Sequence, residues 1–305
     1  MELSLGPVLF DWKREDLLKF YDRVKDMEVS TVFLGEVVCS RRMGLTIEDL
    51  KNIAGTLAKN GKKVFLSTLA IVSNDHELDN IRELCKLGYS IEANDVSAIA
   101  IAGELGAETS AGPHITCYNT GDIEFLKKKG IERITFPVEL PAPSIQYNIE
   151  NSNIRSELFA HGKLPLAFSW RCYTSRAFGL TADNCEFDCR KFPDGMEINS
   201  LDNEPLFTIN GKSILSNSTC TLIEQIDELK AMGASALRVS PQSKDTDKVV
   251  KIFKERIDSK IDNETAVSGL KDITGGGLTN GWFKGAAGKD YIRETEKRLA
   301  SSGRL

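Results

Sequence analysis

Short runs of β-branched and aromatic residues recur about every thirty positions along this chain, and the stretches between them carry apolar residues three and four apart. The runs are VLF near Val8, TVFLG at Thr31, KVFLST at Lys63, SIEAN at Ser90, positions 111–116, RITFPVEL at Arg133, LPLAFSW at Leu164 and ALRVSP at Ala236. Between them, KREDLLKFYDRVKDM places Leu17, Leu18, Tyr21 and Val24 on one helical face, and TIEDLKNIAGTLAKNG, DHELDNIRELCKLG, DVSAIAIAGELG and GDIEFLKKKG follow the same rule. Several of these open on Thr, Asp or Ser and close on Gly, as over 46–61, 95–106 and 122–130. Strand and helix in regular alternation imply βαβ units and a parallel sheet. A strand count approaching eight, with no GxGxxG after the first, favours closure into a (β/α)8 barrel; a doubly wound open sheet is the alternative. The 305 residues suit one barrel or two smaller domains, and 41% hydrophobic content suffices for a core without staples.

The alternation weakens after Trp170, where the chain turns rich in Asp, Asn, Gly and Ser. Within that stretch EPLFTINGKSILS predicts a hairpin turning on Asn210-Gly211 in type I′ geometry. The expected organisation is one barrel domain over 1–288 that includes an irregular insertion at 171–218 between the seventh and eighth strands, then a charged tail over 289–305. The Gly-rich stretch 274–288 lacks GxxxxGK[ST] spacing and is no phosphate cradle. The first residues have no basic and apolar leader pattern, and no run of about 18 apolar residues occurs, so the expected location is cytoplasmic. A net charge of −5 argues against tight sequence-independent binding to nucleic acid, and Arg41-Arg42 and the lysines at 127–129 read as solvated surface.

Three of the seven cysteines, Cys172, Cys185 and Cys189, stand as C-x12-C-x3-C in that irregular polar stretch. In a reducing compartment such thiols are free core residues, redox groups or metal ligands rather than a disulfide framework. Loops turn sulfurs inward toward a tetrahedral metal or an iron–sulfur cluster where helices and strands do not. The candidate fourth ligand is Cys39, four residues past TVFLG, because parallel barrel strands all end on one rim; Cys117 in HITCYN competes for that place. Cys85 and Cys220 read as small buried residues. Spacing does not choose between zinc and a [4Fe–4S] cluster.

Other chemistry is thinly supplied. No G-x-S-x-G or HExxH is present, so a peptidase has no visible nucleophile or zinc site. His76 opens a helix and reads as solvent-facing; His114 at a strand end and His161 in HGKLP are the catalytic candidates, each equally readable as a histidine fixing a loop. Arg171 and Arg176 flank Cys172 and could pair with sulfide or a dicarboxylate. Glu36, Ser67, Thr68, Glu92, Asn94, Asn119 and Glu139 fall at strand ends on the expected active face.

The segments SLGPVLFDW, FLGEVVCSRR, FLSTLAIV, IEANDVSA, AGPHITCYNT, PVEL, HGKLPLAFSWRCYTSR, C-x3-C-x-K-x-P-D-G, LRVSPQ and NGWFKGAAG, in that order from Ser4 to about Gly288, resemble the collagenase-like peptidase family. The resemblance is to its ubiquinone-biosynthesis branch. It implies a [4Fe–4S] cluster on Cys39, Cys172, Cys185 and Cys189, and a heterodimer with a UbiU-like sister subunit. It also implies a lipid-binding accessory protein, and hydroxylation of the polyprenyl-phenol precursor of ubiquinone without dioxygen, with prephenate as the oxygen donor used by RNA-hydroxylating members. Where the wider family reads H-G-x-L-C, this chain has Pro165, and Cys39 in GEVVC supplies the missing ligand, as in that branch. The rival readings are a zinc-stapled peptidase-like module and a structural subunit whose partner does the chemistry.

Overall fold

The computed structural model describes residues 1–42, 44–181, 183–274 and 277–293. Seven parallel strands follow in chain order: β1 (Glu2–Leu5), β2 (Thr31–Gly35), β3 (Lys63–Ser67), β4 (Ser90–Ala93), β5 (Thr109–Ala111), β6 (Arg133–Thr135) and the first half of β7 (Arg155–Phe168). Between them run α1 (Arg14–Val24), α2 (Ile47–Lys59), α3 (Asp75–Lys86), α4 (Val96–Glu104), α5 (Thr120–Lys128) and α6 (Ala142–Ser152). An insertion follows: the short helix α7 (Tyr173–Ala177) and the strands β8 (Met196–Asn199), β9 (Pro205–Asn210) and β10 (Ser213–Thr221). After α8 (Ile226–Ala231), the strand β11 (Ala236–Val239) pairs with both β1 and β7, Glu2 opposite Ala236 and Ala236 opposite Glu157. That double pairing closes an eight-stranded parallel barrel among the described residues and removes the open-sheet alternative. The helices α9 (Thr246–Ile257) and α10 (Asn263–Thr274) complete its outer layer.

The helices start where local chemistry stops competing with them. Thr46 and Asp49 form a reciprocal capping box on α2, and Asn119 does the same with Asp122 on α5, so α5 opens three residues before the predicted Asp122. Amphipathic faces bury Leu17, Phe20, Tyr21 and Val24 of α1 against the sheet.

Three strands differ from their sequence-based positions. VLF at 8–10 lies beyond β1: the ladder ends when Gly6 donates to the Val239 carbonyl, and Pro7 has no N–H to continue it. β5 ends at Ala111 because Pro113 begins a 3-10 turn, Pro113–Ile115. LPLAF is the outer half of β7, and the barrel strand proper is the polar-looking RSELFAH. Beyond Gly162 the strand leaves the barrel and pairs antiparallel with β10, which pairs with β9 and then β8. The β9–β10 turn is also displaced by one residue. Asn210 pairs with Ser213, so Gly211 and Lys212 are the central positions, and only Gly211 (φ 66°) is left-handed, as a type II′ turn requires.

Charge fills the lower barrel. Glu157 accepts from Arg238 (2.8 Å), Thr135 (2.9 Å), Arg133 and Ser4, while Arg238 also donates to Glu92 at 2.6 Å and lies 3.8 Å over the Phe33 ring. Burial alone would raise the Glu157 carboxyl; Arg238 and Arg133 outweigh it and hold it at about 2.

Candidate functional site

The four predicted ligand cysteines lie on segments that leave the C-terminal ends of β2 and β7, the rim where barrel enzymes place their chemistry. Cys39 sits in the loop after β2. There the half-buried Glu36 carboxylate accepts from the backbone of Val38 (2.7 Å) and Cys39 (3.0 Å). Cys172 caps α7, its sulfur accepting from the Ser175 N–H at 3.4 Å, and the Cys185 sulfur accepts likewise from Phe187 at 3.4 Å. Cys189 is buried and donates to Asp11 at 3.1 Å.

These segments meet at the β9–β10 turn. The Asn210 amide nitrogen donates to the carbonyls of Cys189 and Phe192, both at 3.0 Å. Its amide oxygen accepts from Arg42 (2.6 Å) and from the Asp11 backbone (3.0 Å). Arg42 in turn donates to Leu9 (3.0 Å) and Glu36 (3.4 Å), which ties in the Cys39 loop. Gly211 completes the junction: its carbonyl accepts from the Tyr173 N–H and its N–H donates to Thr174, both at 2.9 Å, which seats the helix carrying Cys172. Its hypothetical Cβ would lie 2.9 Å from the Arg42 guanidinium, so a side chain there would displace the arginine.

Burial raises the thiols of Cys39 and Cys189. Arg42 opposes the rise at both sulfurs and Lys212 does so at Cys39, while the charges of Asp11 and Cys172 push Cys189 further up. Cys172, Cys189, Cys39 and Arg42 thus share one electrostatic neighbourhood. Among the described residues no group of three or more His, Cys, Asp or Glu side chains is assembled as a finished metal site. The chemistry of the donors suits a thiolate centre: the segments of Cys39, Cys172 and Cys189 are tied at one junction, the Cys172 and Cys185 sulfurs accept backbone N–H bonds, and buried Arg42 offsets negative charge.

Several sequence-based assignments change. Arg42 is not solvated surface but 7% exposed, at the centre of the junction, whereas Arg41 does reach outward to Asp183 at 3.2 Å. Cys117 is buried, burial pushing its thiol up to about 12 with Asp122 as the interacting charge; it follows β5, and none of the hydrogen bonds at the Asn210 junction reaches it. His161 turns outward against Phe253 of α9 (5.6 Å between ring centroids), so it packs the barrel wall and does not orient the cysteine loop. Arg171 and Arg176 are exposed. His114 does face the mouth, its ring 4.4 Å from Phe168, and burial together with Arg238 holds its pKa down at about 3, so it is neutral. Asn119 is a helix cap, and Ser67 and Asn94 both donate to Glu92.

The mouth itself is a cavity of about 230 Å³ walled by His114, Glu139, Thr116, Val138, Pro165 and Phe168. Below it a pocket of about 20 Å³ is lined by Arg238, Glu92 and Asn94, and by Leu9 and Val37 from the two loops that also frame the Cys39 segment. Sequence reasoning missed Asp11, Arg42, Glu157, Asn210 and Arg238. Their signal is a charged or amide residue inside an apolar run, as in LFDW and ALRV.

Fold and site together define a parallel β/α barrel with a thiol-bearing insertion over its C-terminal rim. The profile of peptidase family U32 matches residues 17–293, and the chain belongs to that family. It is 25% identical over 232 residues to tRNA hydroxylation protein P1 of Bacillus subtilis (strain 168), covering 70% of this chain and 54% of that protein. It is 25% identical over 236 residues to a collagenase of Porphyromonas gingivalis (strain ATCC BAA-308 / W83), covering 70% and 56%. The chain thus spans about half the length of the curated relatives it matches. A solved U32 peptidase structure superposes with a TM-score of 0.46 at 10% identity, over 79% of this chain and 93% of that one. Among the described residues no helix is long and apolar enough to cross a membrane.

Proposed function

We propose that this chain is a UbiV-type iron–sulfur subunit of an oxygen-independent hydroxylase acting on the polyprenyl-phenol precursor of ubiquinone. Its partners in this reading are a UbiU-like sister subunit and a lipid-binding accessory protein, and prephenate is the oxygen donor. The observation that carries the reading is the junction at Asn210 and Gly211, where the segments bearing Cys39, Cys172 and Cys189 are tied together beside the barrel mouth. A hydroxylation-related relative and a family without a visible peptidase nucleophile in this chain agree with it. Cys39, Cys172, Cys185 and Cys189 would hold a [4Fe–4S] cluster, which supplies one-electron transfer when bound. The chain's own residues do the rest: Arg42 offsets the thiolates' charge, Asn210 fixes the Cys189 loop, and neutral His114 and Glu139 face a phenol-sized cavity.

Anaerobic purification with partners, followed by iron, sulfide and zinc quantification, tests the centre. Iron and sulfide in equal amounts are expected; zinc alone would support the stapled-module reading. A strain lacking the chain should lose ubiquinone during anaerobic growth, and unchanged quinone levels would remove the pathway assignment. Substituting Cys185 separates catalytic from structural roles: an intact complex without hydroxylation is expected, whereas loss of the complex favours a structural subunit.

A further inference from the structure

A third barrel loop, the one after β1, also reaches the cysteines. It runs Val8, Leu9, Phe10, Asp11, Trp12, every one of them 5% exposed or less, so a carboxylate stands inside an apolar run and away from water. A charge placed there needs partners. Both partners of the Asp11 side chain lie in the Cys189 segment. Its Oδ2 accepts from the Cys189 Sγ at 3.1 Å, and its Oδ1 accepts from Nε and Nη2 of Arg190, both at 3.3 Å.

The loop does not need this charge to hold the insertion. The Trp12 indole N–H donates to the Pro193 carbonyl at 2.6 Å, and the Asp11 backbone N–H donates to the Asn210 amide oxygen at 3.0 Å. Both bonds are neutral, and neither uses the carboxylate. A buried ion pair adds little net stability over neutral packing, because desolvation of the two charges offsets their attraction. What the carboxylate adds is a negative charge 3.1 Å from one candidate ligand sulfur, in a place where Cys189 is 6% exposed and water does little to screen it. At that sulfur Arg42 favours negative charge and Asp11 opposes it. Arg190 binds the other carboxylate oxygen, and its side chain is 29% exposed, so solvent weakens its reach to the sulfur.

We propose that Asp11 is a positioning residue of the thiol centre, fixing the Cys189 sulfur and holding the bound centre at a lower reduction potential than the four thiolates alone would set. The metal rests on the iron–sulfur reading above; the effect rests on the Asp11 contacts. The potential of such a centre follows its net charge and the hydrogen bonds to its sulfurs. A ligating Cys189 has no S–H to give, so the two Arg190 bonds are what keep the carboxylate seated. Adding an electron beside that fixed charge is uphill. With Asp11 neutralised, Arg42 acts unopposed at the Cys189 sulfur and reduction becomes easier.

The test is a redox titration of the full chain, purified anaerobically with its partners and followed by the electron paramagnetic resonance of the reduced iron–sulfur signal. Asp11→Asn is isosteric and keeps the backbone bond to Asn210, and it should titrate at a more positive potential than the native chain, with iron and sulfide content unchanged. Asp11→Glu keeps the charge and should stay nearer the native value. Arg190→Gln removes the carboxylate's cation and should give a smaller shift the opposite way, a readout that remains if Asp11→Asn does not fold. Trp12→Phe loosens the same loop without changing charge and should leave the potential in place. An unmoved potential in Asp11→Asn, a positive shift in Arg190→Gln, or a shift in Trp12→Phe equal to that of Asp11→Asn overturns the inference. A native chain that holds zinc and no sulfide removes the iron–sulfur reading alone. Co2+ loaded on the thiols then reports the same field: loss of a negative charge beside the sulfur stabilises its electrons, so the sulfur-to-cobalt charge-transfer band should move to shorter wavelength in Asp11→Asn. A band that stays put removes the role of Asp11 as well.

Discussion

The barrel interior and the cysteine-bearing insertion are both built around arginine, and they use it differently. Inside the barrel Arg238 bridges two fully buried carboxylates, Glu92 and Glu157, and every strand from β1 to β11 that contributes to the network is also held by ladder hydrogen bonds. Beneath the insertion Arg42, from the loop after β2, reaches mostly neutral oxygens, of Leu9 and Asn210, and a half-buried Glu36, while the loops it ties have little regular structure. The interior is over-determined before any ligand arrives. The insertion is gathered at one turn, and its thiols are held by single hydrogen bonds.

The contrast predicts separable failures. The largest effect follows from the iron–sulfur reading proposed above: on it, Cys185→Ser should lower the iron content and the visible charge-transfer absorption of anaerobically prepared protein, while the barrel's unfolding midpoint stays in place. Next, Glu157→Gln strips a buried carboxylate from Arg238 and Arg133 and should cost about 3–5 kcal/mol in global unfolding, measured by denaturant titration. The same pair sets a pH dependence. Glu157 is held at about 2, below its unfolded value near 4.3, so its contribution is complete above about pH 5 and drains away as pH falls toward 2. An acid titration of the native chain should show that loss, and Glu157→Gln should flatten it.

Smaller effects sharpen the comparison. Asn210→Ala deletes the hub of the junction and leaves buried partners unpaired, an expected local cost of about 2–4 kcal/mol. Hydrogen exchange should quicken over 172–192 and around Cys39, with barrel strands unaffected; a matching loss of protection in β2 to β6 would break the contrast. Thr46→Ala, which removes one half of the α2 capping box, should lower stability by about 1 kcal/mol and leave iron content unchanged.

The barrel was legible because its periodicity is carried by many residues at once, so β2, β3 and β11 stand where apolar runs place them. β7 was half hidden because the inward position holds Glu157 beside an outward Ser156, and that polarity reads as a loop until Arg238 and Arg133 are seen opposite Glu157. The cysteine positions were evident from spacing and their rim from strand direction. The junction was not, since Asn210 served the hairpin reading and its contacts to Arg42 and Cys189 span 168 and 21 residues of sequence. Burial of Arg42 has the same origin: no local pattern distinguishes it from Arg41.

β7 serves two sets of partners in turn, paired with β6 and β11 along its first half and with β10 from His161 onward. The thiol-carrying appendage is therefore cantilevered from a structural beam instead of hanging on a tether. The beam turns at Gly162, where φ is 126° and Ser240 already crowds the space a side chain would need. A side chain at Gly162 would therefore disturb the barrel wall and the appendage together.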